Sequence, residues 1–147
     1  MKLKIKYYTD FEIYRTKQVL PKLDFYLSQG CNPKLPKEIT TKSSKKEIKT
    51  QIKKEFDKAS SKKVEEKIEK EFYKIRKDFE TATYKYFKKT IENITLYLTK
   101  YGPANSYRAP NEVVFMIHNK RILGVLVHEI IHLFIDNQIK KHKISKY

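Results

Sequence analysis

His128-Glu129-Ile130-Ile131-His132 sets two imidazoles four residues apart, with a carboxylate next to the first. On an α-helix, residues four apart lie one turn apart on the same face, so both rings can reach one Zn²⁺ at nitrogen–metal distances of about 2.0–2.1 Å. Glu129 stands beside that face, where it could take a proton from a metal-activated water while the metal polarises a peptide carbonyl. The chemistry expected is metal-assisted hydrolysis, with His128 and His132 as ligands and Glu129 as general base. A structural alternative is an imidazole pair hydrogen-bonded to core carbonyls, with Glu129 ion-paired to a lysine. It accounts for fewer residues.

The flanks bear on that choice. Val125, Leu126, Val127, Ile130, Ile131, Leu133 and Phe134 make the segment apolar all round except at its three polar residues, which predicts a buried helix, with Gly124 permitting close packing on one side. Two histidines and a glutamate in such a helix are costly unless satisfied, and a metal satisfies them directly. Asn119 is expected to cap this helix, which runs from near Lys120 to Lys141. Two strands precede it, over 94–101 and 112–118, separated by a loop, GPANSYRAP, whose Gly102, Pro103 and Pro110 break regular structure.

Further upstream, 2–8 alternates lysine with Leu3, Ile5 and Tyr7, the period of a strand with one buried face. Residues 10–28 have helical spacing interrupted by Pro21 and ended by Gly30, and 31–44 is a connection without periodicity. From 45 to 93 there is neither proline nor glycine. Ile48, Ile52 and Phe56 form one apolar stripe; Val64, Ile68, Phe72, Ile75, Phe79 and Ala82 form another, predicting two amphipathic helices broken near Ser60 and Ser61. The fold class expected is α+β, with N-terminal helices and a small sheet packed on a buried HExxH helix. A single domain over 1–147 is expected, with a lysine-rich helical part at 44–93 and the motif-bearing part at 94–147.

VLVHEIIHLF resembles the active-site helix of the zincin metallopeptidases: a β-branched residue, two more apolar residues, HExxH with uncharged intervening positions, then a hydrophobic pair. Over about 94–147 the strand-to-helix layout is similar to that of the gluzincin-like small predicted archaeal-type metallopeptidases and minigluzincins. The resemblance implies a zincin-like fold and zinc-dependent hydrolysis of a peptide or protein substrate. It also implies a sheet strand that pairs with extended substrate, for which 113–117 and 96–99 are the candidates.

The third ligand departs from the pattern. A metzincin would have glycine three residues and histidine six residues after the second histidine, where this chain has Ile135 and Gln138. A gluzincin draws a glutamate from a following helix some twenty or more residues on, whereas this sequence stops at Tyr147; the glutamate helix is expected to be missing, and the chain to bind metal weakly or be inactive. His142 is the candidate third ligand within the chain, with His118 as another. Asp136 lies about 12 Å along the helix axis from His128, too far to share one ion on a straight helix, and is expected to be a surface or supporting acid. Tyr107 and Arg108, in the loop before the second strand, are candidates for stabilising a tetrahedral oxyanion.

Composition supplies an alternative of another class. Among 147 residues, 33 lysines and arginines face 17 acids, for a net charge of +16. A basic helical protein could bind nucleic acid or acidic partners through 45–93, with Tyr84, Tyr86 and Phe87 stacking on bases and the histidine pair purely structural. Arginine occurs only at Arg15, Arg76, Arg108 and Arg121, so a solvated lysine surface competes with that alternative. Cys31 is the only cysteine, which excludes an intrachain disulfide and points to a cytoplasmic protein. The N-terminus lacks the apolar run of a secretory signal, and the apolar stretch 122–135 is short and carries three polar residues, so a soluble protein outside any membrane is expected.

Overall fold

The structure is a computed structural model that describes residues 1–141. It is α+β: a mixed four-stranded sheet with helices on both faces. β1 (Lys2–Lys6) places Leu3 and Ile5 on one face and its lysines on the other. α1 (Thr9–Val19) follows, and Pro21, which cannot donate a backbone hydrogen bond, sits in a 3₁₀ turn (Leu20–Lys22) that leads into α2 (Leu23–Ser28). Gly30, at φ +71°, closes the segment.

α3 (Lys45–Glu55) starts on a reciprocal cap: Ser44 Oγ accepts from Glu47 N at 3.2 Å, and Glu47 Oε2 accepts from Ser44 N at 2.6 Å. α4 (Lys58–Phe87) starts on Asp57, whose Oδ1 accepts from Ala59 N and Ser60 N. The break between the two amphipathic helices therefore falls at Phe56 and Asp57, ahead of the expected Ser60 and Ser61. An ionised carboxylate caps two amides here, while Ser61 Oγ bonds back to Lys58 O inside the first turn. Ala82 of the second stripe is exposed, and Thr83 is buried in its place.

β2 (Asn93–Thr99) pairs in parallel with β1 on one side and with β4 (Glu112–Met116) on the other. β3 (Ser106–Arg108) runs antiparallel to β4 and forms an edge of the sheet, whose order is β1-β2-β4-β3. The segment expected as a loop thus contains a strand. Three residues are too few to show a period, and side-chain bonds help to hold the turn: Asn105 Oδ1 accepts from Met116 N and from Asn119 Nδ2, each at 2.7 Å. Gly102 has φ +121°, a backbone conformation that favours glycine, and a Cβ there would lie 2.7 Å from Arg15 Nε and displace that guanidinium.

α5 (Ile122–Lys141) carries the motif. Asn119 does not cap it; its carboxamide is used on Asn105, and the helix begins at Ile122. Nor is the helix buried all round. Ile122, Leu126, Ile130, Leu133 and Phe134 enter the main core with Ile68 and Phe72 of α4, Ile94, Leu96 and Leu98 of β2, and Val113 and Phe115 of β4. Gly124, His128 and Ile135 are exposed, and a Cβ on Gly124 would meet open space, not a packed neighbour.

The apolar run is also longer than 122–135. Ile122–Ile139, with mean hydropathy 1.4, is long and apolar enough by length and composition to cross a membrane. Its inward side instead packs on the sheet, as a core helix does. A smaller cluster on the opposite side of the molecule joins Ile13, Leu20, Ile39, Ile48, Ile52 and Tyr101.

Candidate metal centre

One turn of α5 brings the two imidazoles together. His128 Nε2 and His132 Nε2 lie 3.0 Å apart, one ring donating to the other, with ring centroids 4.6 Å apart and planes at 84°. Two nitrogens bound at about 2.0–2.1 Å to one tetrahedral zinc stand roughly 3.3 Å apart, so the pair lies within a few tenths of an ångström of a chelating separation. Two imidazoles are also the donor type that zinc favours, although they accept cobalt, nickel or copper as well. These residues fit a zinc ion as two of its ligands.

Glu129 is 8% exposed, between the histidine face and the core face of the helix. Burial pushes its carboxyl pKa up, and the nearby charges of His128 and His132 pull it partly back. The ion pairs found among the described residues, Met1–Glu80, Lys67–Glu71 and Arg76–Glu80, do not include it. Among the described residues, then, Glu129 has no lysine partner, and the imidazoles bond to each other.

β3 decides the placement of the two oxyanion candidates. Tyr107 pairs with Val113, whose side chain is in the main core, so its ring turns towards α5. It stacks on His132 with centroids 4.9 Å apart and planes at 4°. Arg108 pairs with Glu112 and turns to the other face of the sheet, where its guanidinium lies over Tyr14 at 5.2 Å and Phe11 at 6.0 Å. Tyr107 is at the histidine pair and Arg108 is not; the alternation of a strand accounts for the separation.

Among the described residues, the other acids and histidines do not complete a ligand set: no group of three or more His, Cys, Asp or Glu side chains is placed to hold a metal ion. His118 is exposed beyond β4, its pKa lowered by desolvation and by Lys34 and Lys100. Asp136 is 2% exposed, which overturns the surface position among its two expectations, surface or supporting acid. His142 lies outside the described residues. The candidate substrate strands also change. Both 96–99 and 113–116 fall in β2 and β4, which are paired on both sides, and the open edge nearest the histidines belongs to β3. A groove of about 810 Å³ between β1 and α4, lined by residues such as Ile5, Tyr7, Lys58 and Glu65, holds none of the motif side chains.

Sequence reasoning missed the stack of Tyr107 on His132. Its sole trace in the chain is an aromatic residue between loop-breaking prolines. No protein-family model, curated protein or solved structure matches this chain.

Proposed function

We propose that this chain is a zinc-dependent metallopeptidase of the HExxH type, acting on peptide or protein substrates in the cytoplasm. The observation that carries the proposal is the convergence of His128 Nε2 and His132 Nε2 to 3.0 Å beside the buried carboxyl of Glu129. His128 and His132 would hold the ion. Zinc bound there would supply Lewis acidity, activating a water and polarising a scissile carbonyl.

The remaining steps belong to the chain. Burial raises the affinity of Glu129 for a proton, which suits a general base that must accept a proton and return it to the leaving amine. The open edge of β3 offers backbone groups to an extended peptide one residue from the Tyr107 that lies against His132. Glu129→Gln tests the mechanism. It should retain zinc and abolish peptide hydrolysis; undiminished hydrolysis would overturn the proposal.

Polyanion binding has separate support in Tyr73, Tyr84 and Tyr86, which are exposed on α4, with Arg76 over the Tyr73 ring and Lys85 over the Tyr86 ring. The same helix carries six acids beside nine bases, which weakens its field. Binding to single-stranded nucleic acid that falls steeply with salt would support this second function; absence of binding at low salt would exclude it.

A further inference from the structure

A histidine side chain on a helix has a broad, weakly restricted torsion about its Cβ–Cγ bond, so the backbone alone does not aim its ring nitrogens. His128 is exposed and can turn. His132 is held differently: it lies flat against Tyr107, with planes at 4°, and meets the edge of His128 on another side. Turning His132 about Cβ–Cγ would drive its ring out of the parallel stack and carry Nε2 away from His128 Nε2. The wall is itself fixed, because Tyr107 is a strand residue paired with the fully buried Val113.

We infer that Tyr107 is a positioning residue for His132, acting through the face of its ring and not through its hydroxyl; this rests on the metallopeptidase proposal above. Of the two ligands, His132 is then pre-aimed and His128 completes the pair. Partners that orient a metal ligand are typically worth 10–100-fold in metal affinity, and a flat aromatic contact performs that task here without a hydrogen bond.

The test compares the wild-type chain with Tyr107→Phe, Tyr107→Leu and Tyr107→Ala. Zinc affinity is measured by chelator competition, and the His132 ring protons are followed by NMR in the metal-free protein. Phenylalanine should keep the wild-type affinity and the ring-current displacement of the His132 signals. Leucine, which keeps bulk but has no flat face, should lose that displacement and about tenfold in zinc affinity, as should alanine. Leucine also guards against a cavity that unfolds the alanine variant.

Unchanged zinc affinity in the leucine variant would overturn the inference, and so would an equal loss in phenylalanine, which would assign the effect to the hydroxyl. If the wild-type chain takes up no zinc while the ring-current displacement is present, the metallopeptidase proposal alone falls. If the displacement is absent from wild-type spectra, the role of Tyr107 falls.

Discussion

Glu12 and Glu129 are both buried carboxyls raised in pKa by desolvation, yet they sit on opposite faces of the sheet in different company. Glu12, 1% exposed on α1, accepts from Thr99 Oγ1 at 2.5 Å and from Lys100 N at 2.8 Å, and Tyr7 bonds to it as well. Those donors tie α1 to the end of β2. Glu129 has no such donors among the described residues; only the charges of two imidazoles oppose its desolvation. A carboxylate held by several donors is a structural staple, whereas one buried without them keeps most of its desolvation penalty, as the proposed general base would.

Glutamine at each position should therefore separate the two roles. The largest effect expected is on hydrolysis: Glu129→Gln should cost about 10²–10⁴-fold in kcat, the usual worth of a general base. Glu12→Gln should leave the rate per folded molecule near wild type. Comparable rate losses in the two variants would erase the distinction.

Leu126→Ala strikes the core under the helix that carries Glu129, and should lower unfolding free energy by about 2–5 kcal/mol in denaturant titrations. A loss well below that would place α5 outside the cooperative core. Glu12→Ala removes the acceptor of Thr99 Oγ1, Lys100 N and Tyr7, and should cost about 1.5–3 kcal/mol in the same assay. A neutral result would mean that the staple is dispensable.

The smallest effect concerns pH. A carboxyl whose pKa is raised by folding contributes stability fully present below the unfolded value of about 4.3 and lost as pH rises through the folded value. Glutamine at 129 removes that loss. Metal-free Glu129→Gln should therefore melt above wild type at pH 7, the difference shrinking below about pH 4. An unchanged melting temperature at pH 7 would show that Glu129 ionises without penalty.

Much of the architecture was legible because its signals are local. The alternation of Leu3 and Ile5, the Ile48–Ile52 and Ile68–Phe72 spacings, and Pro21 between helical segments each mark an element through its own period or a missing donor. The motif itself was equally legible, since helical spacing alone puts His128 and His132 on one face of α5, one turn apart. β3 was not legible, because Ser106–Arg108 has no period and exists through pairing with β4. Burial around α5 was misjudged for a related reason. An apolar residue such as Ile135 records a preference for burial, but a neighbour must be present to bury it, and the sheet covers only one side of the helix.

The sequence by itself determined the elements and the one-turn spacing of two imidazoles and a carboxylate, because these depend on contacts within a few residues. The tertiary structure decided which carboxylate is stapled and which stands at the histidines, and that Tyr107 reaches His132 while Arg108 turns away. Those outcomes follow from strand register and from which face of the sheet each helix covers. Both are set by pairing between segments distant in the chain, and no local pattern encodes them.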